Sequence, residues 1–211
     1  MTGADAGANH FAARGKYRSM GDDQLDDGAV FARSVTDPEV FTIIFDRHYR
    51  AVYGYLARRV GRAIADDLAA ETFIVAFERR STYRPDSVRA LPWLLGIAVN
   101  VLAHQRRSEA RQLRALAAAG SREATSEVEA SPGSMPDRLV AGLEQLDDRD
   151  REALLLYAWA ELTYAEIADA LEIPVGTVRS RLSRARRKLR EALEPPSGNV
   201  VQLRREGVAD A

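Results

Sequence analysis

The stretch "IPVGTVRSRLSRARRKLREAL", residues 173–193, gathers charge as no other part of the chain does. From Val175 to Arg190 it holds seven Lys or Arg and no acid, although the formal net charge of all 211 residues is only −1. Val178, Leu182, Ala185, Leu189 and Leu193 recur at the spacing of one buried helical stripe. Ser180, Ser183, Arg184 and Arg187 fall on the opposite face. Small hydroxyls beside guanidinium groups suit close approach to base edges and phosphates in a major groove. Arg179, Arg181, Arg186, Lys188 and Arg190 flank that face, where phosphates would lie. A merely solvated surface helix is the competing reading of such a charge run.

The residues just upstream favour DNA. Segment 139–172 reverses the charge, with nine acids against two Arg. Leu139, Val140, Leu143 and Leu146 mark a first short helix, and Asp148 caps a second through "REALLLYAWAE". Thr163 and Glu166 have the spacing of a capping box. Behind them Tyr164, Ile167, Ala168 and Leu171 form one apolar face, and Pro174 restarts the chain as the basic helix. Short helices with positive charge segregated onto the last are the layout of a helix-turn-helix.

Residues 37–110 are helical as well. Asp37-Pro38 opens a helix along which Phe41, Phe45, Tyr49, Val52 and Leu56 recur. A second, about 64–79, carries Leu68, Ile74 and Phe77; a third, about 91–110, carries Leu91, Leu94, Ile97, Ala98, Val101 and Leu102. No useful stretch alternates with period two. The expected fold is therefore all-α: two small helical domains, 37–110 and 136–194, joined by a flexible linker. That linker, 111–135, is "RQLRALAAAGSREATSEVEASPGSM", rich in small and polar residues. Residues 1–36 lack periodicity and are expected to be a disordered lead-in, with Met20 as an alternative start, and 195–211 a short polar tail.

Composition excludes several function classes. There is no Cys, so no disulfide and no thiolate metal site, and His10, His48 and His104 are scattered. No apolar run is long enough to span a bilayer, and the N-terminus lacks the apolar core of a secretory signal. Cytoplasmic location is expected, with no metal, no cofactor and no catalytic residues. Asp66, Asp67 and Glu71 could be taken for metal-binding carboxylates, but no complementary cluster accompanies them. They suit the positive end of a helix dipole and a basic partner surface better.

The order of motifs resembles the ECF (extracytoplasmic-function) sigma factors of bacterial RNA polymerase. "LDDRDREALLLYAWAELTYAEIADALEIPVGTVRSRLSRARRKLREAL" resembles sigma region 4, "DDLAAETFIVAFE" region 2.2, and "STYRPDSVRALPWLLGIAVNVLAHQRR" regions 2.3 and 2.4. The resemblance implies a non-enzymatic subunit that binds core polymerase and directs initiation at −10 and −35 promoter elements. Arg179, Ser180, Ser183 and Arg184, with Arg187, match the −35-contacting helix, and Tyr157 sits where some members carry Arg. The loop from about Arg80 to Arg89 matches the −10 specificity loop. Tyr83 and Asn100 match positions that hold a flipped-out base, an aromatic wall and an amide being what an unstacked base requires. For Tyr83 a loop residue covering the core, and for Asn100 a satisfied buried amide, remain open. Arg106, Arg107 and Arg111 would hold the strand's phosphates.

Asp67, Leu68, Glu71 and Phe73 match the core-binding motif, in which Ala69-Ala70 replaces the usual Val-Gln. The implied partners are the clamp helices and flap of core polymerase, promoter DNA and an anti-sigma factor. Glu123, Glu127 and Glu129 would follow the RNA path, unless the linker is a plain spacer. A stand-alone helix-turn-helix regulator is the alternative function. It predicts tight operator binding without polymerase.

Overall fold

The computed structural model describes residues 25–84, 89–118 and 137–193. Among these, all regular structure is helical: α1 (Asp27–Ser34), α2 (Thr42–Val60), α3 (Arg62–Glu78), α4 (Ala90–Ala118), α5 (Asp137–Glu144), α6 (Asp148–Trp159), α7 (Tyr164–Ala170) and α8 (Val175–Leu193). Single 3-10 turns, Pro38–Phe41 and Arg80–Thr82, lead into α2 and out of α3.

Two boundaries differ from expectation. The lead-in expected over 1–36 contains α1, whose start is capped by the Asp26 carboxylate accepting from the Ala29 amide at 2.7 Å. The cause is packing. Phe31 is 1% exposed, stacked on Tyr83 at 4.1 Å between centroids and set edge-on to Trp93 and Phe41. An eight-residue helix has little periodicity to detect, yet one aromatic side chain ties it to the core. The linker expected from 111 begins later, because α4 continues to Ala118.

In the first domain α2 and α3 form an antiparallel pair turned at Gly61. Its φ of 78° is a left-handed value that glycine adopts without strain. Helix α3 buries Ala65, Leu68, Ala69, Thr72, Phe73 and Ala76, one continuous helical face. The buried Thr72 hydroxyl is satisfied by donating to the Leu68 carbonyl at 2.7 Å. From Leu94 to Ala98 helix α4 is buried on all sides. It packs on α2 and α3 on one side and on α7 of the second domain on the other. Gly96 makes that second contact possible, since a Cβ there would collide with the Ala170 carbonyl oxygen.

The second domain wraps four helices round Leu155, Leu156, Leu162, Ile167, Val178 and Leu182. Arg151 closes the end of α5, donating from Nε to the Leu143 carbonyl at 2.7 Å and from Nη2 to those of Glu144 and Leu146 at 2.8 and 3.0 Å. Asp147 rather than Asp148 caps α6, accepting from the Arg149 amide. At α7 the capping box is complete in both directions. Glu161 and Glu172, at φ 54° and 52°, supply the left-handed residues that turn α6 into α7 and α7 into α8.

Candidate nucleic-acid interface

Helix α8 buries Val178, Leu182 and Ala185, half-buries Leu189, and leaves Leu193 exposed in its last turn. Arg179, Ser180, Ser183, Arg184 and Arg187 are all exposed. Ser180 donates to the Thr177 carbonyl at 2.9 Å, which directs the hydroxyl along the helix. Arg184 is not free to rotate. Its Nε and Nη2 donate to the two carboxylate oxygens of Asp150 at 3.0 and 2.8 Å, and those bonds raise its pKa. On the neighbouring flank Arg186 donates to the Tyr164 hydroxyl at 3.2 Å and lies 4.8 Å from the Tyr157 ring centroid. Tyr157 thus steers a cation on this side of the helix.

In the first domain, Asn100, Arg107 and Arg111 share one exposed stripe of α4 with His104. The exposure of Asn100 removes the buried-amide alternative. Arg106 turns instead toward the second domain. It lines, with Leu102, Arg149, Glu152, Ile173 and Arg181, a cavity of about 550 Å³ between the domains. Burial, then the charge of nearby Arg59, lower the Arg106 pKa. Tyr83 is in the core, 9% exposed beneath Phe31 and Trp93. Burial, with Asp27 and Asp26 nearby, pushes its phenol up to about 12. Of the loop round it, 85–88 lie outside the described residues. Arg80 is anchored, donating to the Ser34 and Phe77 carbonyls at 3.0 and 2.6 Å, with its guanidinium over the Phe77 ring. Arg89 donates from Nε to Glu166 at 2.6 Å.

The four residues expected to contact polymerase divide. Asp67 and Glu71 are exposed on α3, whereas Leu68 and Phe73 are 3% and 4% exposed and belong to the core. Both are apolar residues on the face that α2 and α4 cover, so neither can reach a partner. Ile74, expected on the apolar face, is instead 59% exposed and shares the outer face with Asp67, Glu71 and Glu78. The spacing of Ile74 from Asp67 and Glu71 was a sequence signal for it. Asp150, Arg59 and Glu152 had no such signal. Glu123, Glu127 and Glu129 lie outside the described residues. Among the described residues no group of His, Cys, Asp or Glu could hold a metal ion, and no helix is long and apolar enough to cross a membrane.

Residues 44–112 match the family Sigma-70 region 2, and residues 137–189 match Sigma-70, region 4. The RNA polymerase sigma factor CarQ of Myxococcus xanthus is 35% identical over 160 residues, covering 74% of this chain and 90% of CarQ. The ECF RNA polymerase sigma-E factor of Haemophilus influenzae is 30% identical over 186 residues, covering 82% and 98%. Among solved structures, the sigma factor RpoE of Bartonella quintana, in complex with the anti-sigma factor NepR, aligns with a TM-score of 0.56 at 24% identity, over 72% of this chain and 96% of that one. With both family regions in order on two helical domains, and relatives matched along nearly their whole length, the chain belongs to the ECF sigma factors of bacterial RNA polymerase.

Proposed function

We propose that this chain joins core RNA polymerase as an alternative sigma factor and directs it to promoters with separate −10 and −35 elements, supplying specificity and no catalysis of its own. The observation that carries this reading is the outer face of α8, where Arg179, Ser180, Ser183 and Arg187 are exposed opposite a buried apolar stripe. In the −35 major groove Arg179, Ser180 and Ser183 read base edges and Arg187 meets the backbone. Arg184 has two of its five N–H donors committed to Asp150, which fixes the guanidinium plane and leaves the other three, on Nη1 and Nη2, for a phosphate.

Asn100, Arg107 and Arg111 carry the −10 strand along α4. Tyr83 serves there only if its ring leaves the stack with Phe31. On α3 the acidic stripe Asp67, Glu71 and Glu78 surrounds Ile74, a small apolar anchor with a charged rim that suits a basic helical surface on polymerase. Work on promoter DNA places the chain in the cytoplasm. The anti-sigma factor bound to the Bartonella relative supports an inhibitor of the same kind here.

Run-off transcription tests the reading, using purified bacterial core polymerase and sheared genomic DNA from the source organism, with and without this protein. New, discrete 5′ ends that share a two-part upstream motif are expected. Tight stand-alone DNA binding with no affinity for core polymerase would replace it with an ordinary helix-turn-helix regulator.

A further inference from the structure

The two domains meet along a seam, and at its centre one carboxylate of the second domain lies over cations of the first. Arg59, near the end of α2, donates from Nη1 to both oxygens of Glu152 on α6 at 2.7 and 2.8 Å. Tyr55 donates its hydroxyl to the same carboxylate at 2.8 Å. Arg59 is 3% exposed as a side chain and Glu152 13%. A guanidinium usually meets a carboxylate fork to fork, with two nitrogens on two oxygens. Here a single nitrogen serves both oxygens, and Nη2 is buried with no acceptor among the described residues. A buried donor on a cation is costly to leave unmade. The site therefore offers more donors than a carboxylate can use, and a phosphate brings further acceptor oxygens.

Two neighbouring features point the same way. Arg106 of α4, and Arg149 and Arg181 of the second domain, line the cavity whose wall includes Glu152. Positive groups thus outnumber the acids, Asp148 and Glu152, along this wall. Farther along the seam Glu166 pairs with the exposed Arg89, again an acid of the second domain on a cation of the first.

We propose that Arg59, with Tyr55 beside it, is a further phosphate-binding residue for single-stranded promoter DNA, and that Glu152 holds the phosphate's place in the free chain. The inference rests on the first domain being the −10 domain. When the domains separate, Glu152 withdraws with α6. A strand phosphate then takes Nη1, the orphaned Nη2 and the Tyr55 hydroxyl, so Arg59 exchanges one anion for another and is never buried unpaired. While the seam is closed, Glu152 competes with the strand for this site.

The test is fluorescence anisotropy of a fluorescein-labelled, 20-nucleotide single-stranded DNA titrated with the full chain at several salt concentrations. Glu152→Gln keeps the shape of the side chain and removes its charge. It is expected to bind roughly ten- to a hundredfold more tightly, the order of one charge-assisted hydrogen bond. Its plot of log affinity against log salt should steepen by about 0.7, the increment of one phosphate on a single strand. The double variant Arg59→Gln/Glu152→Gln, an amide pair of similar volume, is expected to return to the parent affinity or below.

Circular dichroism checks that each variant keeps its helix content. Should Glu152→Gln lose it, Glu152→Asp, which draws the charge back by one methylene, replaces it with the same expected sign. A folded Glu152 variant that binds no tighter, or a double variant that keeps the gain, overturns the proposal. Neither result depends on polymerase, so a failure in run-off transcription would be told apart from a failure here.

Discussion

Arg184 on α8 and Asp150 on α6 form a two-pronged ion pair, with Nε and Nη2 at 3.0 and 2.8 Å from the two carboxylate oxygens. Asp150 is buried and Arg184 half-exposed, so the acid serves as a fixed seat for the base. The pair locks α8 against α6 behind it.

Arg184 and Arg179 should accordingly respond differently to substitution. Arg184→Ala is expected to weaken −35 binding evenly across promoter sequences and to lower the melting temperature, since it strands a buried carboxylate. Arg179→Ala is expected to relax preference at one base pair, by about 1–3 kcal/mol of discrimination. Competition binding with a randomised −35 duplex separates the two patterns.

On α3, core and contact residues should separate cleanly. Leu68→Ala is expected to cost about 2–5 kcal/mol of stability, read by urea unfolding, with no loss of polymerase affinity in the fraction that stays folded. Ile74→Asp is expected to do the opposite, leaving the unfolding midpoint nearly unchanged and abolishing capture of core polymerase.

Helix α1 is predicted to be part of the first domain's core. Phe31→Ala should cost about 3–5 kcal/mol. It should also return the Tyr83 phenol from about 12 toward its ordinary value of 10.0, because the ring that buries it is gone. Ultraviolet titration of the tyrosines reads the second effect.

Acid should loosen the second domain through Glu166. Burial acts to raise its pKa, but the hydrogen bonds from Thr163 and from Arg89 outweigh it, and the net shift is downward. A carboxylate whose folded pKa is depressed contributes stability that is complete above its unfolded value, near 4.5, and lost as pH falls through its folded value. Melting temperature should therefore drop as the medium is acidified below pH 4.5, and drop less in Glu166→Gln. Thr163→Ala, which removes the cap itself, is expected to cost about 1 kcal/mol near neutral pH.

Gly96→Ala is predicted to part the two domains while leaving each intact. The added Cβ meets the Ala170 backbone, which has no side-chain freedom to yield. Small-angle scattering should show a larger radius of gyration at unchanged helix content.

The sequence by itself determined what is written within a turn or two of helix. The basic helix, its buried stripe, the Thr163–Glu166 cap and the order of the two family regions all follow from residues close in the chain, where spacing and hydrogen-bonding chemistry act directly. Tertiary structure decided the rest. On helix α3 the spacing of Ile74 from Asp67 and Glu71 marks an outer face, but that Leu68 and Phe73 are sealed from any partner was decided by the positions of α2 and α4. Helix α1 has its place because Phe31 fills a gap between Tyr83 and Trp93. Asp150 finds Arg184 across 34 residues, and Glu152 finds Arg59 across 93. A charge pair so widely separated leaves no periodic trace, since its energy depends on distance in space and not along the chain.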